Sequence, residues 1–160
     1  MNKVYSKEKL KGEFDRLRKK GKKIIFTNGC FDILHVGHIR YLKEAKKRGD
    51  ILIVAVNSDS SVRSIKGNQR PINHEDDRAE MVASLESVDY VTIFHELTPL
   101  ELIEYLQPDI IVKGRGWVEE DVVGRESVKK WGGTVFIAPN VGEASTSGNI
   151  EKIIKVYGKE

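Results

Sequence analysis

Two histidines three residues apart, His35 and His38, bracket Gly37 where an apolar run, Lys23–Thr27, gives way to a helical pattern through Ile39–Lys47. A helix that begins there presents unpaired N–H groups and the positive end of its dipole, both of which favour an anion. Glycine removes a Cβ that would hold a phosphate away, and imidazole N–H groups donate to phosphate oxygens. The chemistry these residues suit is the binding of a nucleotide's phosphates. A His-x-x-His pair can also be half a zinc site, because residues three apart share a helix face. Zinc takes three or four ligands, and besides this pair the chain offers only His74, His95 and Cys30, so no metal centre is expected.

The elements that must position these residues alternate between β and α patterns, the sign of a parallel sheet with crossover helices. Ser6 can cap a first helix that runs to about Lys20 and stops at Gly21. Strands are expected at Ile24–Thr27, Ile51–Asn57, Tyr90–Phe94, Ile110–Lys113 and Thr134–Ala138, and their Ile/Val content suits burial on both faces. Helices are expected at Gly37–Arg48, Asp76–Leu85, Pro99–Leu106, Glu119–Trp131 and Ser147–Val156. The reading is one domain over residues 1–160, an N-terminal helix (1–21) followed by a core (22–157). Its fold class is α/β, a doubly wound Rossmann-like five-stranded parallel sheet with helices on both faces.

The stretch Ser58–Glu75 departs from this rhythm. It is polar, holds Gly67 and Pro71, and carries Arg63, Lys66 and Arg70 close together. A connection this long is usually functional or mobile, and a mobile loop is expected here. In open α/β sheets ligands bind beyond the carboxyl ends of the strands. Thr27–Cys30, Asn57–Asp59 and Lys113–Gly116 all lie at such ends, so three loops converge on one crevice.

The run Gly29-Cys30-Phe31-Asp32 leading into His35-Val36-Gly37-His38 resembles the signature of the small α/β nucleotidyltransferases, the superfamily of cytidylyltransferases, phosphopantetheine adenylyltransferase and class I aminoacyl-tRNA synthetases. Ser145-Thr146-Ser147 is the counterpart of the Ser-Thr-Thr-like run that opens that family's last helix. Thr27–His35, Ile53–Asp59, Arg70-Pro71-Ile72-Asn73 and Pro108–Gly114 further resemble the adenylyltransferase domain of bacterial ADP-heptose synthesis. The similarity extends from about Lys22 to Val156.

The resemblance implies transfer of AMP from ATP to a sugar 1-phosphate, D-glycero-β-D-manno-heptose 1-phosphate, for lipopolysaccharide core assembly. Magnesium would ride on the pyrophosphate with few protein ligands. His35 and His38 would meet the charge that builds on the phosphoryl oxygens in the transition state. The acceptor phosphate is itself an anionic nucleophile, so no covalent intermediate is expected and Cys30 is read as a packed loop residue. Lys66 would approach the triphosphate. Nucleotide contacts are expected from Asn28, Gly29, Cys30, Phe31, Gly37, Lys113, Gly114 and the three hydroxyls Ser145, Thr146 and Ser147. Those hydroxyls can equally act as a helix cap alone. Arg78, with Arg70 as the weaker candidate, would face the acceptor phosphate; the alternative for Arg78 is a helix-surface ion pair. Asp32 is read as a residue that fixes its loop through backbone N–H groups.

Two departures from the pattern bear on substrate choice. The heptose branch carries Lys-Gly-Gly-Asp before an aromatic, whereas this chain has Lys113-Gly114-Arg115-Gly116-Trp117. Cytidylyltransferases place an arginine where Asn140 stands. The second departure weakens a cytidylyl reading. Because substrate choice lives in loops on a shared fold, glycerol-3-phosphate cytidylyltransferase and FAD synthetase chemistry remain as alternatives, as does a non-catalytic nucleotide-binding module. The charge balance, 27 basic against 24 acidic residues, is dispersed and without a basic arm, which argues against a nucleic-acid partner. The lone cysteine excludes an internal disulfide and suits a reducing cytoplasm. No apolar run approaches a membrane span. The expected partners are ATP and a phosphorylated sugar, with a homodimer open and the kinase activity of the resembled proteins on a separate chain.

Overall fold

The computed structural model describes residues 3–139, 142 and 144–158. Helix α1 (Lys7–Lys19) starts where the Ser6 side chain accepts a hydrogen bond from the Lys9 N–H. It buries Leu10, Phe14 and Leu17, a spacing of four and three that lays one face on the sheet. Strand β1 (Ile24–Gly29) follows, then α2 (Val36–Lys46), β2 (Ile51–Asn57), α3 (Asp59–Lys66), α4 (Glu75–Ala83) and β3 (Tyr90–Phe94). The chain continues with α5 (Leu100–Leu106), β4 (Ile110–Lys113), a 3₁₀ turn at Glu119–Asp121, α6 (Arg125–Lys130), β5 (Thr134–Ile137) and α7 (Thr146–Tyr157).

All strand pairings are parallel, in the order β3-β2-β1-β4-β5. Successive strand residues point to opposite faces, and that period divides the core in two. Ile25, Leu52, Val54, Val56 and Val112 pack with Leu42 of α2 and Ala79 and Val82 of α4. Ile24, Phe26, Ile53, Ala55 and Ile111 pack with α1, with Leu102, Ile103 and Leu106 of α5, and with Val128 of α6. The five-stranded, doubly wound architecture expected from the sequence is the one observed. The edge at β3 is partly covered by the N-terminal segment, where Tyr5 N–H donates to Val91 O and Val4 bridges Val91.

Three expectations need correction. Ser58–Glu75 is not a continuous loop: α3 occupies its first half. Ser58 caps that helix through its hydroxyl, and Gly67, at φ +94°, ends it. The polar sequence of α3 hides one buried turn, Ser61 and Val62, which is too short a pattern to read as periodic. The helix expected over Glu119–Trp131 is broken, because Gly124 adopts φ +86° and a Cβ there would lie 2.8 Å from the Ile103 side chain. Close approach to α5 thus takes precedence over helix continuity. Strand β1 runs two residues further than expected, pairing Asn28 with Ala55 and Gly29 with Val56, which carries the chain to the rim of the sheet.

Candidate active site

Strands β1 and β4 are neighbours although β2 and β3 lie between them in sequence, so the sheet changes winding direction at this pair. Crevices form at the carboxyl ends of strands at such a point. A cleft of about 750 Å³ opens there, a size suited to a nucleotide. Its walls include Asn28, Gly29, Cys30 and Phe31 from the end of β1, His35, Gly37 and His38 from the start of α2, and Lys113 and Gly114 from the end of β4. Ser145 and Thr146 from the start of α7 complete this side.

The two histidines stack face to face, ring centroids 3.8 Å apart at 27°. Gly37 permits this. A Cβ at position 37 would lie 2.9 Å from the His35 imidazole and 3.1 Å from the Ala144 carbonyl oxygen. The room that glycine leaves is therefore filled by the His35 ring and the backbone before α7, rather than by open space for a phosphate. Burial lowers the pKa of His35, and burial together with the neighbouring His35 lowers that of His38 to about 4. Both rings are thus neutral near pH 7. Among the described residues neither Nδ1, though buried, has a hydrogen-bond partner. An orphaned buried N–H is rarer than an under-used acceptor, which places the hydrogen on Nε2 as a neutral donor.

This depression has a measurable consequence. Between about 6.5 and about 4 the unfolded chain holds a proton at position 38 that the folded chain releases, so folding stability should decline as pH falls through that window. A pH series of thermal unfolding on the nucleotide-free protein should show the decline, and His38→Gln should flatten it. An unchanged slope in that variant would mean that His38 titrates normally.

Asp32 acts as its loop's anchor. It is buried and accepts from the N–H groups of Ile72 and Asn73 at 2.9 and 2.8 Å and from Arg70 Nε at 2.5 Å. Burial pushes its carboxyl upward, but the Asn73 and Ile72 N–H groups and Arg70 outweigh it, and Asp32 titrates below its usual range. Arg70 is thereby committed through Nε to an ion pair with Asp32 and is not among the cleft-lining residues.

Arg78 is neither on the helix surface nor in the cleft. It is fully buried, and its guanidinium donates to Cys30 O (2.5 Å), Asn73 O (3.0 Å) and Asp59 Oδ1 (2.8 Å). It ties the end of β1, the link before α4 and the start of α3 into one node. In this arrangement its donors are directed to the protein, and the expected contact with an acceptor phosphate is not formed. The sequence carries no signal for this: an arginine three residues into a helix after three acidic residues reads as exposed.

Lys113 is buried beneath the cleft, its Nζ 2.5 Å from Asn28 Oδ1 and 4.9 Å from the Trp117 ring centroid. Burial lowers its ammonium to about 8, still largely charged at neutral pH. Ser145 caps α7, its hydroxyl accepting from Gly148 N–H, and the Thr146 hydroxyl donates to Ile33 O. Ser147 is exposed and outside the lining, so of the three hydroxyls only the first two border the cleft. Lys66 is exposed at the last turn of α3; its neighbour Ile65 lines the cleft and Lys66 does not. Asn140 lies outside the described residues.

Sequence reasoning missed Tyr41, Ile65, Leu97, Thr98, Pro99 and Trp117, all of which border the cleft. Tyr41 is the one with a legible signal, one helical turn beyond His38. Its hydroxyl bonds Thr27 Oγ1 at 2.7 Å and donates to Val112 O at 2.9 Å, which pins α2 to both central strands. Among the described residues the lining contains no aspartate or glutamate, and no three His, Cys, Asp or Glu side chains gather as a metal group. No described helix is long and apolar enough to cross a membrane.

The family model "Cytidylyltransferase-like" matches residues 26–141, which span the β1–α2 loop, α3 and the strands that frame the cleft. "Bifunctional protein HldE" of Geobacter metallireducens is 48% identical over 158 residues, 99% of this chain and 32% of the relative. The chain thus spans about a third of the length of such curated relatives. A solved structure, "lipopolysaccharide core biosynthesis protein" from Thermoplasma volcanium, is 35% identical with a TM-score of 0.63, covering 78% of this chain and 100% of that one. A pantoate-beta-alanine ligase from Francisella tularensis shares the fold at 17% identity, with a TM-score of 0.65 over 97% of this chain and 77% of its own. With the stacked histidine pair at the switch point of its sheet, the chain belongs to the cytidylyltransferase-like family of nucleotidyltransferases.

Proposed function

We propose that this chain transfers AMP from ATP to a sugar 1-phosphate, D-glycero-β-D-manno-heptose 1-phosphate, releasing pyrophosphate and forming ADP-heptose for lipopolysaccharide core assembly in the cytoplasm. The observation that carries the reading is the neutral histidine pair, which borders a nucleotide-sized cleft together with the start of α7. The similarity to the HldE proteins and to the Thermoplasma protein supports the heptose acceptor.

An oxygen of the acceptor phosphate attacks the α-phosphorus, and the bond from that phosphorus to the oxygen bridging the β-phosphate breaks. Pyrophosphate carries the electron pair away. His35 and His38 donate through Nε2 to phosphoryl oxygens as their charge grows, an arrangement worth more in a partly desolvated site than in water. Lys113 supplies fixed positive charge from below. Lys66 would approach the β- and γ-phosphates from the end of α3. Magnesium enters as part of the MgATP substrate, held by phosphate oxygens.

The test is a matrix of ATP, CTP and GTP against heptose 1-phosphate, glycerol 3-phosphate, riboflavin 5′-phosphate and phosphopantetheine, with pyrophosphate release as the readout. Turnover confined to ATP and heptose 1-phosphate is expected. Preference for CTP with glycerol 3-phosphate would replace the reading with a cytidylyl transfer. ATP binding with no turnover on any acceptor would make the chain a nucleotide-binding module.

A further inference from the structure

We propose that Phe31, seated against Gly29, is a positioning residue that holds the His38 imidazole in its working orientation, rather than a residue that binds the nucleotide. A histidine ring is ordinarily oriented by a hydrogen bond to its second nitrogen. Here Nδ1 of His38 is buried and has no such partner among the described residues, and neither has Nδ1 of His35. What flanks the His38 ring is other rings. His35 stacks on it at 3.8 Å, and Phe31 packs against it at 5.3 Å with the planes tilted by 56°.

Phe31 reaches that place by an uncommon backbone conformation. Its φ is +48°, the left-handed region that a bulky side chain rarely adopts and that persists only where the surroundings impose it. Phe31 and Gln107 are the only non-glycine residues in that region among those described. The turn folds the ring back over position 29, where a Cβ would lie 2.9 Å from Phe31 Cε2 and 3.2 Å from Cζ. Gly29 is therefore glycine because of the ring above it, not because of its own dihedral angle. The ring itself is 5% exposed, which leaves it little surface for a ligand and a large one for packing. The residue after it, Asp32, is tied to Ile72, Asn73 and Arg70, and the one before it, Cys30, gives its carbonyl to Arg78. Both flanks of the strained residue are thus held by buried hydrogen bonds, which fixes the ring and through it His38.

The kinetic arm of the test rests on the adenylyl-transfer reading; the spectroscopic arm does not. In nucleotide-free protein, the His38 side chain is followed by NMR through a pH titration, with His35 as the titratable neighbour that acts on it. Phe31→Leu keeps an apolar side chain but removes the ring. It should let water reach His38 and raise the midpoint of its titration by about one unit or more from its depressed value. It should also lower kcat about ten- to a hundredfold while the KM for ATP changes little, as expected for a misplaced group that acts in the transition state. Gly29→Ala, which drives a methyl into the ring, should act in the same direction. The double variant should be no worse than Phe31→Leu alone, because the methyl then has no ring to displace.

Phe31→Met, similar in volume and without a planar ring, serves if the leucine variant does not fold. An unshifted His38 titration in a folded Phe31 variant would overturn the proposal. So would a raised KM for ATP with kcat intact, which would make Phe31 a nucleotide contact, or strictly additive losses in the double variant. If the titration shifts while no acceptor supports turnover in the unmodified protein, the positioning role stands and the adenylyl-transfer reading fails.

Discussion

Replacing His38 with alanine is expected to lower kcat about a hundredfold or more while the affinity for ATP changes only a few fold. The asymmetry follows from where the charge is. On the proposed reading, the phosphoryl oxygens of bound ATP already have solvent and Lys113 nearby. During transfer, charge accumulates on the departing pyrophosphate, and a fixed donor there stabilises the transition state more than the ground state. The ring is preorganised by stacking, so it pays no reorientation when the reaction occurs. His38→Gln, whose amide N–H can reach toward the Nε2 position, should recover part of the loss. His35→Ala should follow the same pattern less severely, since His35 stands at the helix cap and is the less buried of the two. Steady-state kinetics together with equilibrium ATP binding separate the effects. Near-normal turnover in both alanine variants would remove the phosphate role from this pair. Zinc lost with activity on chelation, and not replaced by magnesium, would favour metal ligation instead.

The second large effect is on stability. Arg78→Met should destabilise the fold by about 3–5 kcal/mol, because it takes the guanidinium from the partly buried Asp59 carboxylate and from the Cys30 and Asn73 carbonyls. Urea unfolding measures this directly, and Arg78→Lys should recover only part of it, since one ammonium cannot replace a planar fork that serves three acceptors. The same variants decide between a node and an acceptor contact. A node loses stability and turnover together, because the end of β1 and the start of α3 drift apart. An acceptor contact would raise the KM for the sugar phosphate and leave the unfolding midpoint where it was.

Much of the scaffold is legible in the residues. Strands buried on both faces must be rich in Ile and Val, and β2, β3 and β4 have the expected bounds. Helix starts marked by Ser6 and by the hydroxyls before α7 follow from local capping chemistry, which needs no tertiary partner. The His35–His38 spacing, with a strand before it and a helix after it, was enough to locate the cleft. That Asp32 accepts from backbone N–H groups could be anticipated too, but the groups it takes belong to Ile72 and Asn73, which only the folded chain brings to it.

The assignments that depended on direction in space were not available in this way. Whether Arg78 faces solvent, ligand or core is settled by acceptors of residues 30, 59 and 73, the first two far from it in sequence and brought to it only by the folded sheet. Gly37 reads in the sequence as backbone room for phosphate and Gly29 as a nucleotide contact, yet their missing Cβ atoms make room for His35 and Phe31. Gly124 broke a helix whose local pattern favoured continuity, because α5 packs where a side chain would stand. Local hydrogen bonding and periodicity act over a few residues and are written into the chain, so they determined the elements and the position of the histidine pair. Steric exclusion and the pairing of buried charge act between segments that only the folded sheet makes neighbours, so the tertiary structure alone decided which polar groups face the cleft and which hold it together.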